Sequence, residues 1–167
     1  LWRPAGIHLL PLLPQLRASN RALTADVHTE CVAGSMAISV EKFLDSCAAN
    51  DIPRDAYTVV AGFYEDTLKD TTLDAQLSNI ALAYIDCDLY SSTRTVLEFL
   101  MPRLKHGMII AFDDYFCWSA THVSGERQAM LEFFHNNPDW ELVPYMPFSW
   151  GGQSFVVESR RISGISV

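Results

Sequence analysis

Two apolar runs, each ending in a group of acids, constrain this chain more than any other feature in it. Ile80-Ala81-Leu82-Ala83-Tyr84-Ile85 leads into Asp86-Cys87-Asp88, and Met108-Ile109-Ile110-Ala111-Phe112 leads into Asp113-Asp114. Short uncharged runs of this kind predict strands buried on both faces. Between them, Ser91 and Ser92 offer helix caps, and Leu97, Leu100, Met101 and Leu104 recur as one apolar stripe. Pro102 should kink or shorten the last turn, and Lys105, His106 and Gly107 suit a helix end. Strand, helix and strand within residues 80 to 113 match the ~30 residues of a right-handed βαβ crossover. The two strands are therefore predicted to be parallel, with both acidic groups at the carboxyl edge, where open α/β sheets bind ligands.

Adjacent strands would bring the acids to roughly 5 Å from one another, close to the strand spacing. Two unit charges at that distance and an effective dielectric of about 20 repel by roughly 3 kcal/mol. No Lys or Arg lies in either acidic segment, so the offset must be a bound divalent cation, a raised carboxyl pKa or a distant Arg folded back. Oxygen-only ligands favour a hard ion, Mg²⁺ before Ca²⁺ or Mn²⁺. A single Asp at a strand end is as well explained by a turn or a cap. The clustering of Asp86, Asp113 and Asp114 is what argues for a metal.

Hydrophobic residues make up 49% of the 167 and charged residues 19%, enough for one core. The chain is accordingly read as a single α/β domain over residues 1–167, with an irregular segment at 1–35 broken by Pro4, Pro11 and Pro14. A formal charge of −8 argues against nucleic acid and anionic membrane as partners. Cys31, Cys47, Cys87 and Cys117 have no metal-finger spacing, which suits a reduced, cytoplasmic setting. Cys87 is read as a small packed residue rather than a nucleophile. No run reaches the ~18 apolar residues of a membrane helix.

Elsewhere, Ser39 should cap a helix carrying Val40, Phe43, Leu44 and Cys47, ending before Asp51-Ile52-Pro53. Residues 57–63 read as a short strand with Gly62 at its end, and residues 66–78 as a loop with a short helix. Tyr115-Phe116-Cys117-Trp118 forms an aromatic lip beside the acids, better explained by core packing or a loop anchor. Ser124 should open a helix with Ala129, Met130, Phe133 and Phe134 on one face, stopped by Asn136-Asn137-Pro138. Residues 140–145 and 153–158 are predicted to pair as a hairpin across Pro147 and Gly151-Gly152, before a polar tail at 159–167.

Gly62-Phe63-Tyr64-Glu65-Asp66-Thr67-Leu68, the segment from Ile85 to Thr93, Ile110-Ala111-Phe112-Asp113-Asp114-Tyr115 and the Gly125-Glu126-Arg127 helix start resemble the macrocin O-methyltransferase (TylF-type) family of class I S-adenosylmethionine-dependent methyltransferases. The order and spacing fit over about 120 residues, the C-terminal two thirds of that family's pattern. The resemblance implies a Rossmann-like, mostly parallel sheet with a C-terminal antiparallel hairpin. It makes Asp86, Asp113 and Asp114 the Mg²⁺ ligands and Asp88 the general base, a role that some members give to a nearby His, and His122 is a candidate to assist that base. Gly62 and Phe63 would face the adenosine of S-adenosylmethionine. The acceptor would be a hydroxyl of a sugar-bearing or polyhydroxylated small molecule, by analogy with members that methylate sugars of secondary metabolites.

One departure from the family stands out: there is no Gly-x-Gly anywhere in the chain. The domain is therefore expected to be incomplete at its N-terminus and to bind S-adenosylmethionine weakly or not at all by itself. A nucleotide-sugar glycosyltransferase using Asp86-Cys87-Asp88 is the competing enzyme reading, although it has no use for Asp113-Asp114. An aspartyl-phosphate phosphatase shares the Asp-x-Asp but needs a Lys and several elements between its motifs. A non-catalytic remnant whose exposed sheet edge forms homo-oligomers is the third alternative.

Overall fold

The computed structural model describes residues 38–69, 77–117, 123 and 125–160. Expectations for residues 1–35, for Trp118, His122 and Ser124, and for the tail beyond Arg160 lie outside these residues. The elements are α1 (Val40–Ala49), a 3₁₀ turn (Arg54–Ala56), α2 (Tyr64–Thr67), β1 (Leu82–Ile85), α3 (Tyr90–Leu100), a 3₁₀ turn (Met101–Arg103), β2 (Ile109–Phe112), α4 (Gly125–Asn136), β3 (Trp140–Phe148) and β4 (Gly152–Ser159). The sheet order is β1-β2-β4-β3. β1 and β2 are parallel neighbours, with Leu82 opposite Ile109 and Ile85 opposite Phe112. β4 runs antiparallel to β2 on one side and to β3 on the other.

Helices α3 and α4 cover one face of this sheet. Leu97, Ile110, Phe112 and Val157 are wholly buried in that layer, packed with Ile85, Leu100, Ala129, Met130 and Phe155. Each such side chain contributes about 1.5–3 kcal/mol by leaving water. Met101–Arg103 tightens into a 3₁₀ turn at Pro102, as a missing N–H requires. Gly107 takes φ +84 and donates its N–H to Val157 O at 2.8 Å, turning the chain into β2.

Three sequence expectations need correction. First, β1 is not buried on both faces, because among the described residues it forms the sheet edge, with Leu82 57% and Tyr84 54% exposed. Second, the serine caps are not used. Helix α3 begins at Tyr90 behind Leu89, and the Thr93 hydroxyl bonds back to the Leu89 carbonyl at 2.8 Å. Third, residues 57–63 are not a strand: Tyr57 and Phe63 have extended dihedrals, but no described strand pairs with the segment. Of the segment 66–78, expected to be a loop with a short helix, residues 70–76 lie outside the described residues, and α2 at Tyr64–Thr67 precedes them.

The hairpin is longer than its sequence signal. β3 extends to Phe148 through Pro144 and Pro147, which an edge strand tolerates. The register shifts between Pro144 and Met146, where the Ser154 hydroxyl donates to Met146 O at 2.8 Å and accepts from Met146 N at 3.2 Å. The Ser39 cap of α1 is as expected, accepting from Lys42 N at 3.2 Å.

Candidate active site

The parallel ladder ends where Asp113 N–H donates to Ile85 O at 2.9 Å. From there each strand delivers its acids into a separate turn at the same edge. One oxygen from each of Asp86, Asp113 and Asp114 lies within 4.8 Å of the others. Asp88 occupies the middle of a tight turn closed by Leu89 N–H on Cys87 O, with φ +55. That left-handed conformation is one that Asp and Asn enter more readily than other non-glycine residues. Its carboxyl reaches Asp114 as a hydrogen-bond partner.

The electrostatics carry the expected strain. Burial first, then the charges of Asp113 and Asp88, push Asp86 up to about 6. Asp114 is pushed up to about 7 by burial, by its hydrogen bond with Asp88 and by the Asp88 charge, against a lowering contribution from Cys117. No cation figures among these causes. Arg127, on the first turn of α4, stacks over Tyr115 and Phe116, 5.3 and 5.4 Å from their ring centres.

Around the acids, three features were not anticipated from the sequence. Glu126, on the first turn of α4 and wholly buried, accepts Cys87 N–H at 2.9 Å and Asp114 N–H at 3.0 Å. Burial raises its carboxyl to about 8 against the lowering effect of those two amides. Tyr84 donates its hydroxyl to Asp113 Oδ1. The hairpin turn closes on the second acidic turn, with Phe116 N–H on Gly151 O at 2.9 Å.

Gly62 and Phe63 lie at the start of α2. Gly62 has φ +146, and a Cβ there would meet Thr67 Cγ2 at 2.6 Å, so both backbone and space require glycine. Phe63 caps α2, its carbonyl accepting Thr67 N–H at 2.8 Å. The next residue, Tyr64, joins this segment to the first acidic turn through a hydrogen bond with Cys87. Cys87 itself is buried and its thiol is pushed far up by that burial, the opposite of an activated nucleophile.

The family described as Macrocin-O-methyltransferase (TylF) matches residues 12–137 of this chain. The chain belongs to that family. A curated relative from Streptomyces olivaceus, 8-demethyl-8-(2,3-dimethoxy-alpha-L-rhamnosyl)-tetracenomycin-C 4'-O-methyltransferase, is 29% identical over 113 residues, covering 66% of this chain and 42% of the relative. Among solved structures, the calicheamicin methyltransferase CalS11 superposes with a TM-score of 0.57 at 26% identity, over 79% of this chain and 53% of CalS11. The O-methyltransferase NovP superposes with a TM-score of 0.59 at 23% identity, over 74% of this chain and 46% of NovP. These likenesses establish the α/β class I methyltransferase fold for this TylF-family chain, which spans about half the length of the relatives it matches. Among the described residues, no helix is long and apolar enough to cross a membrane.

Proposed function

We propose that this TylF-family chain carries the acceptor and metal side of an S-adenosylmethionine- and Mg²⁺-dependent O-methyltransferase, with Asp86, Asp113 and Asp114 as the metal ligands. The observation that carries the reading is the meeting of those three carboxylates at the ends of two parallel strands. An ion with oxygen ligands at about 2.1 Å spaces them roughly 3.0 to 4.2 Å apart, close to the span found. The raised Asp86 and Asp114 also fit, because two partly buried acids crowded by neighbouring acids lack the charge that such an ion brings.

When bound, the ion supplies Lewis acidity to an acceptor hydroxyl, and S-adenosylmethionine supplies the methyl group. Asp88, held beside Asp114, takes the hydroxyl proton as general base. Gly62 and Phe63 are the residues offered to the adenosine side. Without a Gly-x-Gly turn, these residues meet the cofactor on one side only, and the chain by itself is expected to bind it weakly. The acceptor is a hydroxyl on a sugar-bearing or polyhydroxylated small molecule, a class supported by the rhamnosyl group in the Streptomyces olivaceus relative's name. Membership of a methyltransferase family counts against the glycosyltransferase alternative.

Titration with Mn²⁺ as a spectroscopic substitute for Mg²⁺ tests the centre directly. One ion per chain is expected, with Asp86→Asn, Asp113→Asn and Asp114→Asn each weakening binding at least tenfold. Wild-type protein that binds no Mn²⁺ would sink the metal reading. Thermal shifts with S-adenosylmethionine and with a UDP-sugar separate the two enzyme classes. A shift with the UDP-sugar alone would favour the glycosyltransferase, and low-micromolar affinity for S-adenosylmethionine would overturn the weak-cofactor expectation.

A further inference from the structure

We propose that Glu126 is a positioning residue that clamps the two acid-bearing turns together by their backbones and so sets the spacing of Asp86 against Asp113 and Asp114. The proposal rests on the metal reading above.

Past the bond from Asp113 N–H to Ile85 O, the β1–β2 ladder is over and the two chains diverge into separate turns. Glu126 sits across that divergence. One carboxylate oxygen takes the amide of Cys87, the residue after Asp86, and the other takes the amide of Asp114 itself. Both bonds come from a single planar group that is wholly buried. Its position therefore fixes the separation of two backbone points, each within one residue of the carboxylates in question.

Packing alone does not account for an acid at this position. A Leu or Met would fill similar volume without the desolvation cost of a buried carboxylate. An acid here also faces an already acidic cluster, an unfavourable electrostatic choice. What Glu provides, and an apolar side chain cannot, is two acceptors in one rigid plane for two amides in different turns. Groups that orient metal ligands in this way typically change metal affinity by 10–100-fold when altered.

The test is Mn²⁺ affinity of the full chain, measured by electron paramagnetic resonance, for wild type, Glu126→Gln and the ligand variant Asp113→Asn. Glu126→Gln keeps the shape but turns an NH₂ toward one of the two amides. It is expected to keep the wild-type circular dichroism spectrum while losing about 10–100-fold in Mn²⁺ affinity. If Asp113→Asn abolishes binding and Glu126→Gln binds as wild type does, the clamp is refuted and the metal site stands. If wild type binds no Mn²⁺, both fall.

Amide exchange in the wild-type protein gives a second readout that survives a variant that fails to fold. The Cys87 and Asp114 amides should exchange slowly without metal and change little on adding Mg²⁺. Free exchange that slows only with Mg²⁺ would mean that the ion, and not Glu126, assembles the turns.

Discussion

The Tyr84 hydroxyl donates a hydrogen bond to Asp113 Oδ1 from the neighbouring parallel strand. Tyr84 stands opposite Ala111 in the register, so its ring runs along the sheet to reach two residues further, with the Phe148 ring 5.7 Å away on the hairpin. Burial and the acceptor carboxylate together hold its phenol well above the usual tyrosine range. The bond fixes one oxygen of Asp113 and orients the other. Tyr84→Phe should therefore weaken Mn²⁺ binding by about 2- to 10-fold, the equivalent of one modest hydrogen bond. Calorimetric titration of the two proteins checks this, and equal affinities would mean that the phenol plays no part in orienting Asp113.

Asp88 should be separable from the metal ligands. Asn tolerates its left-handed backbone about as well as Asp does, so Asp88→Asn is expected to fold normally and to bind Mn²⁺ within a few-fold of wild type. Losing the proton acceptor should cost about 10²- to 10⁴-fold in kcat in an active preparation, with KM little changed. Asp88→Ala should add a stability loss of about 1–2 kcal/mol from the backbone alone. Steady-state kinetics with denaturant melts of both variants check these outcomes, and an Asp88→Asn enzyme of normal kcat would remove Asp88 as the base.

The site also predicts an inverted pH response. Asp86, raised to about 6, and Asp114, raised to about 7, hold protons in the folded state that the unfolded chain has released. Folded protein thus binds more protons than unfolded protein from about pH 4 upward, and linkage makes stability fall as pH rises through that interval. The contribution is complete below the unfolded value of 3.8 and gone above about 7. Glu126, raised to about 8, extends the decline in the same direction. Thermal melts from pH 5 to 8 should show Tm falling without metal, and Mg²⁺ should restore it most at the upper end, where the carboxylates are free to bind.

Gly151 and Cys117 form a tight joint between the hairpin turn and the second acidic turn. A Cβ at Gly151 would fall well inside the radius of Cys117 Sγ, while Cys117 Cβ would lie at an ordinary 3.8 Å. Gly151→Ala should destabilise the protein by about 1–3 kcal/mol, as overpacking does. Cys117→Ala removes the obstructing sulfur, so the double variant should recover most of that loss. Denaturant melts arranged as a double-mutant cycle give the coupling, and strictly additive effects would show that the joint lies elsewhere.

Residues 80 to 113 alone determined the parallel pair and the shared edge for Asp86, Asp113 and Asp114, because apolar run, helix stripe and apolar run are local patterns bound by one short crossover. The Ser39 cap and the Asn136-Asn137-Pro138 stop of α4 were legible for the same reason. Tertiary structure decided what depends on partners distant in the chain. Residues 57–63 have strand-like composition, but no described strand lies beside them to form a ladder, so they do not become one. Ser91 and Ser92 have the chemistry of caps, yet Leu89 and Tyr90 are drawn into the helix start as Tyr90 and Thr93 pack into the core. Glu126 looked like an ordinary acid in the first turn of a helix. Its partners are backbone amides 39 and 12 residues away, and every residue but proline carries an identical N–H, so no pattern of side chains could have named those two.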